Sequence, residues 1–116
     1  MLEVAIKSIL SDIVDIPVRP IFGTEFPCIT YTDTPVSGGV VKQDQVELKI
    51  IDEDYDEALE IKEKILKKLD MTGKEPTLVS NGITFISQLA GGGSIFSDGP
   101  QMWEISLILL ITWRCL

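Results

Sequence analysis

The sequence predicts an α+β domain: a mostly antiparallel four-stranded sheet with two helices on one face, in the order α-β-β-α-β-β, closing on a long C-terminal β-hairpin. Three observations carry this expectation. Two segments place apolar residues at helical spacing, four others alternate or enrich β-branched and aromatic residues, and the longest strand-like run is the last one, residues 101–113. Neighbouring strands in sequence usually pair, so the four strands read as two hairpins merged into one sheet over a single domain, residues 1–116.

The first helix follows from Leu2, Ala5, Ile6, Ile9, Leu10 and Ile13 on one face, with Glu3, Lys7, Ser11 and Asp12 around the rest. It should stop before Pro17, because the residue preceding a proline is pushed out of the helical region. Residues 15–27 then read as an extended loop. That loop is apolar for a surface segment, with Val18, Ile21, Phe22 and Phe26, and so should pack down or dock on a neighbour.

Residues 28–34 (CITYTDT) and 43–52 (QDQVELKIID) read as strands, the second alternating Val46, Leu48 and Ile50 against Gln45, Glu47 and Lys49. Pro35, Ser37, Gly38 and Gly39 supply turn chemistry between them. Residues 54–69 form the second helix. Its apolar side is Ala58, Leu59, Ile61, Ile65, Leu66 and Leu69; Asp54 with Glu57 makes a capping-box variant, acids lead, lysines close, and Gly73 is placed to end it. Asn81-Gly82 is a turn signal before the strand at residues 83–89, and the glycine-rich segment 90–100 reads as a long connection.

The final run, QMWEISLILLITW, sorts with period two. Trp103, Ile105, Leu107, Leu109, Ile111 and Trp113 make a core face; Met102, Glu104, Ser106, Ile108, Leu110 and Thr112 make a mixed face of the kind that meets a partner. Fully extended it would reach about 43 Å at ~3.3 Å per residue, more than one small domain needs. Glu104 and Arg114 bracket its apolar centre, which is too short to span a bilayer, where roughly 20 apolar residues are required.

Composition narrows the function. Ten Lys and Arg against 18 Asp and Glu give a net charge of -8, which argues against a protein that grips nucleic acid through its phosphates. With no histidine, the commonest general base and metal ligand is missing, and the chain reads as a non-enzyme without cofactors. Cys28 and Cys115 are too few for a secreted disulfide framework and read as buried thiols. No basic leader precedes Glu3, so cytoplasmic synthesis is expected.

The densest acidic cluster is Asp52 to Glu57. Asp52, Asp54, Asp56 and Glu63 fit positions of a calcium loop, but Glu57 stands where that loop needs glycine, and residues from Ala58 on read as helix. A two-metal nuclease site would need acids from several elements and a basic groove, neither of which is visible. Gly91 to Gly93 are not followed by the Lys-Ser/Thr of a phosphate loop. Ile95 and Phe96, apolar between glycine-rich flanks, either order on a partner or fold back on their own sheet.

The order of helix, apolar loop, Phe26-Pro27-Cys28-Ile29-Thr30-Tyr31 strand, Gln45-Val46-Glu47-Leu48 strand, Asp56-Glu57-Ala58 helix and long terminal hairpin resembles the tail terminators, also called neck, tail-completion or head-tail joining proteins, of long-tailed bacteriophages and prophages. The resemblance implies a structural virion protein, a homo-oligomer whose ring, typically hexameric, caps the tail tube and joins the tail to the head connector or stopper protein. DNA would pass through without specific binding, and no membrane is implied. Under it, Ile95, Phe96, Met102, Ile108 and Leu110 are candidate oligomer-interface residues, and Asp44, Glu47 and Glu104 are candidate acids lining the channel, with helices facing outward. The alternative is a small cytoplasmic ligand-binding or regulatory α+β module, in which the mixed face forms a pocket.

Overall fold

Two strands that the sequence pattern did not predict change the architecture. In a computed structural model of the chain, residues 2–21, 26–71, 78–98 and 101–116 are described. The elements run α1 Leu2–Ile13, β1 Val18–Pro20, β2 Cys28–Ser37, β3 Lys42–Asp52, α2 Tyr55–Leu69, β4 Leu78–Ser80, β5 Ile83–Ser97 and β6 Met102–Cys115. The sheet is therefore six-stranded and mixed, with order β1-β2-β3-β6-β5-β4, curled as a half-barrel. The expected four-stranded, α-β-β-α-β-β arrangement is overturned: β1 pairs parallel to β2, Val18 opposite Ile29, and β4 pairs with the start of β5. Both added strands have three residues, too few to show a period, and both are edge strands.

Each helix is specified locally. α2 starts at Asp54, whose carboxylate accepts the N–H groups of Asp56 at 3.0 Å and Glu57 at 3.4 Å. It ends at Asp70, whose N–H donates to the Leu66 carbonyl, so the helix closes ahead of Gly73, which lies outside the described residues. Leu2, Ala5, Ile6 and Leu10 of α1 and Ala58, Ile61, Ile65 and Leu69 of α2 are buried in one core with Val46, Leu48 and Ile50 of β3, Ile83 and Phe85 of β5, and Ile105, Leu107, Leu109 and Ile111 of β6. These sheet residues alternate along their strands, so they occupy one face, and the helices lie against it.

β5 continues through the segment read as a loop. Residues 90–97 stay in register with β6, one residue being added by a bulge between Leu89 and Gly91. Gly92 makes this possible, because a Cβ there would overlap the Ser106 carbonyl oxygen of the facing strand. At the other end of β5, Asn81 and Gly82 both have positive φ, 50° and 80°, as a two-residue hairpin requires.

Candidate assembly surface

The face of the sheet opposite the helices is the surface that the fold leaves open. The ladder places Gln45, Glu47, Lys49 and Ile51 of β3, Glu104, Ser106, Ile108, Leu110 and Thr112 of β6, and Ile86, Gln88, Gly93 and Ile95 of β5 on it. Apart from the β1–β2 corner, where Cys28 and Thr30 are buried, no described helix packs over it. Glu47 and Lys49 form an ion pair at 3.8 Å within the face, at positions exposed enough for solvent to weaken it.

The predicted interface residues separate in this geometry. Ile95 is 61% exposed on the open face, and Ile108 and Leu110 are half-buried at its centre. Phe96 instead lies on the helix side, its ring 4.9 Å from Trp103, which in turn stands 4.6 Å from Tyr55 at the start of α2. Phe96 thus folds back onto its own chain while remaining 41% exposed. Met102 is 9% exposed and offers little surface.

Of the three candidate channel acids, Glu47 and Glu104 share the open face, beside Ile108 and Ile95 respectively. Asp44 does not belong with them. It has the parity of Val46 and Leu48, is 4% exposed, and accepts the indole N–H of Trp113 at 3.0 Å. Lys42 lies 4.9 Å from the same indole ring.

Asp44 also anchors a site that sequence reading missed. Asp33 sits on β2 diagonally across from it, Asp33 opposite Val46 and Pro35 opposite Asp44. Burial, a hydrogen bond with Asp44 and the Asp44 charge raise the Asp33 carboxyl to about 7. Its Oδ1 is buried without a donor, a lack that a proton on the Asp33–Asp44 pair would relieve. The signal was the shared parity of Asp33 and Asp44 with the core residues of their strands.

At the α2 start, Asp52 is buried, accepts the Asp54 N–H at 2.9 Å, and raises Glu57 by its charge and a hydrogen bond. Among the described residues no group of three or more acids or cysteines is placed to hold a metal ion. Cys28 is buried, whereas Cys115, expected to be buried, is exposed at the end of β6. A cleft of about 190 Å³ is mostly apolar, lined by Val41, Phe85, Ile86 and Trp113, with Thr84, Thr112 and Arg114 as its polar members. Among the described residues no helix is long and apolar enough to cross a membrane. The sequence matches no protein-family model, and no curated protein matches it.

Proposed function

We propose that this chain is a structural subunit of a long-tailed phage or prophage, a non-enzymatic virion protein that closes into a ring on the tail tube, joins tail to head connector, and lets DNA pass. One observation carries the reading: a broad sheet face uncovered by any described helix, with Ile86, Ile95, Ile108 and Leu110 set among Glu47, Lys49 and Glu104. With the helices packed on one side only, this face is free to line a bore, and Glu47 and Glu104 put carboxylates on it. The net charge of -8 fits a bore through which DNA slides, since carboxylates repel phosphate. Synthesis in the host cytoplasm and residence in the neck of the virion follow from this role. The open face turns to the lumen with Glu47 and Glu104, and the helices turn outward.

Light scattering across a concentration series, with negative-stain images of each fraction, tests the proposal. Rings with a central hole, formed in solution or after addition of tail tubes, are expected. A single-chain mass at every concentration, with no recruitment by tubes, would sink it. Assembled rings carrying Glu47 and Glu104 on their outer wall would remove the lumenal assignment.

A further inference from the structure

Among the described residues, the two outer edges of the sheet are each covered over only part of their length. On β5, β4 pairs with Ile83 to Phe85, the Met71 N–H donates to the Ser87 carbonyl at 2.9 Å, and the Leu89 N–H donates to Asp70 Oδ1 at 3.2 Å. Beyond these contacts, no described strand runs along residues 91–97. On the far side, β1 pairs with β2 at Ile29 to Tyr31 and the Ile21 N–H donates to the Tyr31 carbonyl at 3.0 Å. No described strand runs along residues 32–37. Because β2 and β5 point in opposite directions, these two bare stretches lie at opposite edges and opposite ends of the sheet.

An exposed strand edge recruits other strands unless charge, proline or a bulge blunts it. The stretch on β2 carries Asp33, Pro35 and a bulge after Pro35. The stretch on β5, GGGSIFS, has no charge and no proline. Alternation from Ser87, with one residue added at the bulge, turns the backbone groups of Gly92, Ser94 and Phe96 outward. The same alternation from Ile29 and Tyr31 turns out those of Asp33 and Pro35, the latter offering only its carbonyl.

We infer that residues 91–97 of β5 pair antiparallel with residues 32–37 of β2 from a second copy of this chain, so that one sheet runs from subunit to subunit. The inference rests on the ring reading above and names its joint. Two features of the fold select this occupant. First, with two copies facing the same way, β5 of one and β2 of the next are already antiparallel, and the contact is heterologous, as a ring demands.

Second, the offset between the two stretches has the size that ring closure uses. Asp33 is level with Val46, and Phe96 is level, through Trp103, with Asp52, so joining Asp33 to Phe96 places residues 92–97 against residues 32–37, stops short of the Tyr31 carbonyl held by Ile21, and shifts the neighbour by about six residues. This shift is about 20 Å at ~3.3 Å per residue, against about 19 Å for four strand spacings. The resulting strand tilt is roughly 45°, at the upper end of the range of closed barrels. With that offset, β4 of one copy and β1 of the next fall at the two ends of the joint and limit its register.

Ser94→Pro tests the joint. Its N–H faces the bare edge, so the change removes no bond to β6 while deleting a donor needed by the neighbour. The variant is expected to stay single-chain in light scattering, with the far-UV circular dichroism of the parent, while Ser94→Ala still forms rings. Hydrogen exchange on the unaltered ring gives a second readout: the Ser94 and Phe96 amides should exchange about 100-fold or more slower than unstructured amides. Rings from Ser94→Pro, or unprotected amides at both positions in wild-type rings, overturn the joint and leave the ring reading intact. Should Ser94→Pro not fold, the exchange result alone decides. Absence of any ring from the wild-type chain, with and without tubes, overturns both.

Discussion

Replacing Asp33 by asparagine should stabilise the protein above neutral pH and leave it little changed below pH 4. The folded chain raises the Asp33 carboxyl from its ordinary 3.8 to about 7, so between those values the folded state holds a proton that the unfolded state has released. Stability from this group is thus fully present below pH 4 and is lost as pH rises toward 7. The full shift would correspond to about 4 kcal/mol at ~1.36 kcal/mol per unit. Asp33 is only partly buried, and solvent screening reduces this to about 1–2 kcal/mol. For a chain of 116 residues that is roughly 3–8 °C in Tm. Thermal unfolding of wild type and Asp33→Asn at pH 4 and pH 8 measures it, the quantity of interest being the difference between the two pH-dependent changes. Parallel changes in both proteins would refute the shared proton.

Three further substitutions probe the frame of the candidate surface. Gly92→Ala should cost about 2–3 kcal/mol in urea unfolding, because its Cβ meets the Ser106 carbonyl oxygen across the hairpin. Trp113→Phe should cost about 1–3 kcal/mol by leaving the buried Asp44 carboxyl without its indole donor, again read from the urea midpoint. Asp54→Ala should cost about 1 kcal/mol, seen as a lower Tm by circular dichroism, since two N–H groups at the start of α2 lose their acceptor.

Both helices and the alternating parts of β2, β3, β5 and β6 were legible because burial on one face leaves a period in the sequence. β1 and β4 were not, since Val18–Pro20 and Leu78–Ser80 are too short for a period and owe their strand conformation to the neighbours they line. The tail of β5 was misread for a different reason. Gly91 to Gly93 have poor strand propensity, yet the unbroken β6 beside them supplies a ladder, and the close approach at Gly92 needs the missing side chain. Within the candidate site, alternation places Ile108, Leu110, Glu47 and Glu104 on the open face, whereas Ile95, read as part of a loop, reaches it through the pairing of β5 with β6. Asp44 could have been moved to the other face by the same rule, since it lies two residues before Val46. The contact between Phe96 and Trp103 crosses the hairpin in a register set by the bulge, which no local pattern announces.

A head-to-tail joint between strand edges carries a hazard that bears on how this chain behaves. Each added copy presents the same uncharged β5 edge as the last, so growth stops only if the rotation per copy brings the final edge back to the first. A closed circle leaves no edge, whereas an open helix leaves one at every length and grows as a fibre. The devices that favour closure are all on the chain: Pro35 and the bulge beside it restrict β2 to a short stretch, and β1 and β4 bound the joint at either end. A joint confined in this way fixes one offset, hence one tilt and one curvature, and allows one number of copies. Light scattering should accordingly show one limiting mass that stays constant as concentration rises. A mass that keeps growing would mean that the edges pair but the offset does not close, which would retain the joint and remove the ring.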